Sequence, residues 1–186
     1  MDHYLDVLFD ASVDFPLVNQ MASFYQGVHS YLVESKAQLG VTLPEMRLRS
    51  RSPLGSFIRL HGEKKALIAF CKSSFLLRIR SPFRMNEILS VPSISQHRTF
   101  WRHQPKSMIQ MRKRAMKRHA LTEEQAVERY PLETQAHSLL PYLELRSLST
   151  RQSFKLFFVQ GATQSKPVSG EFNTYGLSST ATLPWF

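Results

Sequence analysis

The chain has 186 residues, 42% hydrophobic and 20% charged, with 24 Lys or Arg against 14 Asp or Glu, a formal net charge of +10. That balance belongs to a globular protein with a real core, built as one compact body or two small halves, and excludes a disordered chain. The lone Cys71 excludes an internal disulfide and a cysteine-rich zinc site, and no run reaches the ~18 consecutive apolar residues of a membrane span, so a reducing, cytoplasmic setting is expected.

Tyr4 to Phe9 reads as a strand. Pro16 then sits in the first turn of a helix, where a missing N–H costs nothing, and Leu17, Met21, Phe24, Val28 and Leu32 form one buried stripe. Val41 to Leu43 reads as a strand, followed by a basic, Ser-rich loop from Arg47 to Ser56. A strand over Phe57–His61, a helix over Glu63–Cys71 and a strand over Phe75–Arg80 complete the order strand, helix, strand, strand, helix, strand. This is the order of the ferredoxin-like unit, so the fold class expected is α+β, with a ferredoxin-like (RRM-like) domain over residues 1–95 and a C-terminal α+β half over 96–186. Fold order alone names no function, since that unit serves RNA-binding modules and unrelated enzymes alike.

Charge is more informative. Between Ile88 and Thr122 no Asp or Glu occurs, while eight Lys or Arg and three His do. Such a window fits a polyanion, because cations that neutralise phosphates release condensed counterions; the alternative is a solvated basic face. From Arg98 to Lys106, forked donors and aromatics interleave on a strand-like stretch suited to base edges and faces. Ser107 and Gln110 read as a capping box for a basic helix with an apolar seam of Met108, Met111 and Ala115, from which Arg114, Lys117 and Arg118 project. Thr122 and Gln125 read as a second capping box. Leu143–Leu148 and Phe154–Gln160 read as strands, and Gly161–Gly170 as a loop.

Metal chemistry finds little support: there is no H-E-x-x-H, no C-x-x-C and no tight carboxylate cluster. Neither a phosphate-binding P-loop nor a G-x-S-x-G elbow is present. RNA needs neither, because its own 2′-hydroxyl lies beside the scissile phosphate, and a histidine with a reference pKa of about 6.5 suits the proton transfer. His29 lies ~100° from the centre of the apolar stripe, at its edge, where periodicity alone does not distinguish a structural histidine from a catalytic one.

Seven stretches share a further likeness: Met1-Asp2-His3-Tyr4-Leu5-Asp6, His29 on the first helix, Gly40-Val41, Arg102-His103-Gln104, Leu145-Arg146-Ser147-Leu148-Ser149-Thr150, Tyr175-Gly176-Leu177-Ser178 and Pro184-Trp185-Phe186. In order, spacing and length the chain resembles the CRISPR repeat endoribonucleases of type I-F systems, within the RAMP superfamily. The resemblance implies metal-independent cleavage of precursor CRISPR RNA at the 3′ base of a repeat hairpin, with no cofactor. It implies His29 as the catalytic histidine, Ser147 as the residue holding the 2′-hydroxyl, and Tyr175 as the residue positioning His29. Arg102 and Gln104 would read base edges low in the stem, and Arg114, Lys117, Arg118 and His119 would bind the groove. Phe154 would stack on the terminal base pair, and Ser149 and Thr150 would contact RNA near the cut. The partners implied are the repeat hairpin and the other subunits of the surveillance complex, with no membrane and no metal. Lys113 and Lys117 depart from the arginines common in that family, which keeps the charge but loses the bidentate fork. A non-cleaving hairpin-binding subunit and a basic structural protein of the ribosome or DNA remain as alternatives.

Overall fold

The computed structural model describes residues 1–10, 15–79, 82–93, 95–105, 108–131 and 139–186. The fold is mixed α+β with two antiparallel sheets. Contacts divide it into two units, one formed by Met1–His103 with Leu140–Phe186 and the other by Gln104–Leu139.

In the larger unit, β1 (His3–Leu8) pairs with β3 (Phe57–Gly62), which pairs with β2 (Gly40–Thr42). The other edge of β1 takes two short pieces, β4 (Arg84–Met85) and β5 (Leu89–Ser90). The helix α1 (Leu17–Ser35) starts directly after Pro16, which occupies the N-cap rather than the first turn. Met21, Phe24, Val28 and Leu32 are buried as their spacing demands, and Lys36 closes the helix in a left-handed conformation. A second helix, α2 (Lys64–Cys71), turns Leu67 and Phe70 into the same core.

The expected strand at Phe75–Arg80 is absent: Ser74–Leu77 is a short helix, α3, and Arg80 lies outside the described residues. Alternation groups Phe75, Leu77 and Ile79 on one face, but Leu77 is 89% exposed while Phe75, Leu76 and Ile79 pack against the core. That is helical spacing in an apolar run too short for period to decide.

The second sheet has the order β7-β8-β6-β9, from β6 (Gln96–His103), β7 (Tyr142–Arg146), β8 (Ser153–Gln160) and β9 (Ser178–Trp185). No strand is foreseen at β9, whose polar start and Pro184 argue against one. It is an edge strand, where proline is tolerated, and it buries Ser178, Ala181 and Leu183. Leu5, Val7 and Leu60 of the first sheet share one continuous core with Phe100, Leu143, Leu156 and Phe158 of the second. Residue 95, where a boundary is expected, lies within the larger of the two contact-defined units.

In the smaller unit, α4 (Met108–His119) and α5 (Glu123–Arg129) pack together. The Thr122–Gln125 capping box is formed on both sides. The box expected at Ser107 lies outside the described residues.

A buried histidine adds a pH dependence. His61 on β3 is fully buried, its Nε2 lies 3.0 Å from the Thr42 hydroxyl, and its Nδ1 has no partner. Burial, reinforced by the nearby Arg59 charge, pushes its pKa down to about 3. The unfolded chain takes up a proton near the reference value of about 6.5 while the fold does not, so this residue costs stability as pH falls from about 6.5 towards 3, at about 1.4 kcal/mol per unit. Urea unfolding of His61→Gln at pH 6.5 and 4.5 should show a smaller loss than the parent chain; equal losses would mean that His61 does not carry this dependence.

Candidate functional site

Helix α1 brings Tyr25, Gln26 and His29 to one region of the larger unit, and each holds a different segment of chain. Tyr25 is fully buried, and its hydroxyl donates to the Tyr175 carbonyl at 2.7 Å. Gln26 Oε1 accepts from the Arg146 backbone N–H at 3.0 Å, so the turn that begins at Ser147 is attached to the helix one turn before His29. His29 Nδ1 lies 2.7 Å from the Thr174 carbonyl.

The segment before β9 is shaped to receive these contacts. Asn173 Oδ1 accepts from the N–H groups of Tyr175 at 2.8 Å and Leu177 at 3.2 Å, folding residues 173–177 into a tight turn. Gly176 takes φ of 71° there and its carbonyl accepts from Val41 N–H at 2.8 Å. A side chain at this position would meet both left-handed strain and the Val41 side chain. The turn lays the Tyr175 ring flat on His29, with centroids 4.0 Å apart and planes 7° from parallel.

His29 is 8% exposed, covered by the turn before β9. A carbonyl only accepts, so Nδ1 carries the hydrogen and the neutral ring keeps its lone pair on Nε2. Its pKa is lowered, first by burial and also by the positive charge of Arg102, with the Thr174 carbonyl opposing. At neutral pH the ring is therefore an uncharged proton acceptor.

Arg102 on β6 lies over two rings, 5.1 Å from the centroid of Phe154 and 5.4 Å from that of Tyr175. Those two rings meet edge to face at 6.3 Å. His29, Tyr175, Arg102 and Phe154 thus form one cluster built from α1, the turn before β9, β6 and β8. The turn from β7 to β8 is held by Ser147 N–H donating to the Gln152 carbonyl at 2.9 Å and by a left-handed Arg151. Within it the Ser147 hydroxyl accepts from Thr150 N–H at 3.2 Å and lies 3.3 Å from the Ser149 hydroxyl, with Ser149 and Thr150 exposed.

Other expected contacts divide sharply. Arg98 is occupied within the fold, donating to Gln160 Oε1 at 2.9 Å and lying over Trp185 at 4.6 Å, and Phe100 is fully buried, so neither is free to meet a base. Gln104, Arg114, Lys117, Arg118 and His119 belong to the smaller unit and are all exposed. There Arg112 Nε donates to the Tyr130 carbonyl at 2.8 Å and tacks α4 down, leaving Arg114, Lys117 and Arg118 in solvent; Ala115 is buried as the apolar seam requires. Lys117, Arg118 and His119 fill the last turn of α4, where cations suit the helix dipole. Among the described residues, no three His, Cys, Asp or Glu side chains gather to hold a metal ion.

Tyr25, Gln26, Asn173 and Thr174 escape sequence reasoning. Tyr25 and Gln26 precede His29 by four and three residues, which is one face of a helix, but periodicity says only that such residues face inward.

The profile of the family described as CRISPR-associated protein (Cas_Csy4) matches residues 4–186. The chain is similar to the CRISPR-associated endonuclease Cas6/Csy4 of Escherichia coli (strain UTI89 / UPEC), with 36% identity over the full length of both chains. It is likewise 37% identical over the full length of both to the CRISPR-associated endonuclease Cas6/Csy4 of Pseudomonas aeruginosa (strain UCBPP-PA14). A match spanning nearly every residue, with the clustered side chains inside it, places the chain in the CRISPR-associated Csy4 family.

Proposed function

We propose that the chain is a metal-independent endoribonuclease of type I-F CRISPR systems, which binds the repeat hairpin of precursor CRISPR RNA and cuts it at the 3′ base of the stem. Both relatives are named endonucleases, which supports a crRNA-processing endonuclease. The observation that carries the mechanism is the state of His29: a neutral ring, fixed by the Thr174 carbonyl and the Tyr175 face, with Nε2 as its lone-pair nitrogen.

In this reading Nε2 of His29 takes the proton of the 2′-hydroxyl beside the scissile phosphate, and the freed oxygen attacks phosphorus. The P–O bond to the 5′-oxygen breaks and that oxygen takes a proton from water, leaving a 2′,3′-cyclic phosphate on one product and a 5′-hydroxyl on the other, while His29 returns its proton to solvent. Ser147 orients the 2′-hydroxyl, and Ser149 and Thr150 hold RNA near the cut. Phe154 stacks on the terminal base pair, and Arg102 and Gln104 read base edges. Arg114, Lys117, Arg118 and His119 bind along the groove; their exposure and lack of acidic neighbours on α4 support this. After cleavage the protein stays on the hairpin as a subunit of the crRNA-guided surveillance complex in the cytoplasm. The order β2-β3-β1-β4, with all neighbours antiparallel, supports a ferredoxin-like arrangement around the catalytic histidine.

Cleavage of the cognate repeat should proceed in excess EDTA, and His29→Ala should keep hairpin binding while slowing cleavage about 10²- to 10⁴-fold, the usual worth of a positioned base. Activity lost in EDTA and restored by magnesium, or unchanged cleavage by His29→Ala, would remove this mechanism. Because the His29 pKa is lowered from 6.5, the single-turnover rate should be level above about pH 6.5 and fall in acid as the ring is protonated. A rate that falls as pH rises from 6 to 8 would instead assign the protonated ring. Arg114→Ala with Arg118→Ala should weaken hairpin binding by about tenfold or more and reduce the slope of log K against log salt by about 0.9 for each phosphate no longer neutralised. Unchanged affinity would overturn the groove assignment.

A further inference from the structure

A second basic cluster lies outside the acid-free window, and none of the roles above uses it. Between β2 and β3, Arg47, Arg49 and Arg51 alternate with Leu48, Ser50 and Ser52, and all six are exposed. Among the described residues, none of the three arginines makes an ion pair. The adjacent acid is engaged elsewhere: the Glu45 carboxylate accepts from Ser56 N–H at 2.7 Å and from its hydroxyl at 2.8 Å.

The loop is built rather than slack. Met46 and Leu54, at its two ends, are each 4% exposed and belong to the main core. Arg47 N–H donates to the Pro53 carbonyl at 3.0 Å and Gly55 N–H to the Ser52 carbonyl at 3.2 Å, closing the loop on itself. Gly55 stands at φ of 77°, where a side chain would collide with Glu45. At the tip Arg49 takes a left-handed backbone, φ of 62°, which a side chain of its kind rarely adopts without compensation. Gln160 Nε2 donates to the Met46 carbonyl at 3.4 Å, fixing the loop to the end of β8 opposite Phe154. Six residue steps of strand separate those two positions, on the order of 20 Å.

We propose that Arg47, Arg49 and Arg51 form a second RNA-contact surface, which holds single-stranded RNA running on beyond the base of the hairpin. The inference rests on the RNA-cleavage reading above. Three guanidinium groups, with the Ser50 and Ser52 hydroxyls beside them, offer mainly hydrogen-bond donors, which match phosphate oxygens. A single strand has no rigid phosphate spacing and adapts to arginines set two residues apart on a fixed loop. The exposed Leu48 between two of them offers an apolar surface to a base.

The test uses the full chain and three RNAs, each with a 2′-deoxy nucleotide at the cleavage position to block internal attack: the hairpin alone, and the hairpin with ten unpaired nucleotides on its 5′ side or on its 3′ side. The extended RNA should bind more tightly, with a slope of log K against log salt steeper by about 2, that is ~0.7 for each of three phosphates neutralised on a single strand. The variant R47A/R49A/R51A should abolish both gains while keeping hairpin affinity and the cleavage rate of the unmodified repeat. Arg49→Gly, which suits the left-handed backbone and so preserves the fold, should reduce the slope by about 0.7. No gain from either extension, a gain retained by the triple variant, or an equal loss for the hairpin alone would overturn the inference; the first two results would leave the loop's charge to an acidic protein surface. Failure of the parent chain to bind the hairpin at all would overturn the proposed function and this inference with it.

Discussion

The hydrogen bond from the Tyr25 hydroxyl to the Tyr175 carbonyl is the constraint on which the candidate site depends. A fully buried hydroxyl left without a partner would cost about 1–3 kcal/mol, so the turn before β9 is drawn to α1 by the same burial that makes the core. Burial raises the Tyr25 pKa well above that of an ordinary phenol, so the group stays a donor across the whole working range of pH. With Tyr175 held by its backbone, its ring lies against His29, while the Phe158 ring supports Tyr25 from the second sheet at 5.6 Å.

Opposing effects set the charge state of His29, and burial prevails over the carbonyl that favours the protonated ring. Arg102 acts in the same direction as burial. Its place over Phe154 and Tyr175 satisfies the cation by the faces of two rings, while its buried Nε has no hydrogen-bond partner. Burial is the larger cause of the lowered pKa and the Arg102 charge the smaller one.

Much of the fold is legible in local pattern, and the failures share a cause. The stripe on α1 and the capping box at Thr122 are short-range signals, and both are where the sequence puts them. The segment Phe75–Ile79 fails because four apolar residues and Arg78 are too few to separate the two periods; Phe75, Leu76 and Ile79 pack on the core, and Ile79 lies close against Gly27 of α1. Strand β9 fails because its partner, β6, lies some eighty residues earlier, and pairing across that distance leaves no local trace. The site divides in the same way. Exposed cations of α4 can be read from charge alone, whereas the significance of His29 comes from Thr174 and Tyr175, nearly 150 residues downstream. Only resemblance across the whole chain joins them. Arg98 and Phe100 warn that a basic and aromatic strand reads as a ligand surface until the other face of its sheet is known.

The groups around His29 come from the first helix and from the last loop before the final strand. During synthesis a ribosome must therefore deliver residue 175 before His29 acquires either its tautomer-setting carbonyl or its stacking ring. Contacts this distant in sequence form late and slowly in folding. A chain interrupted partway would already carry the basic helix α4, but His29 would still lack both its carbonyl partner and its stacking ring.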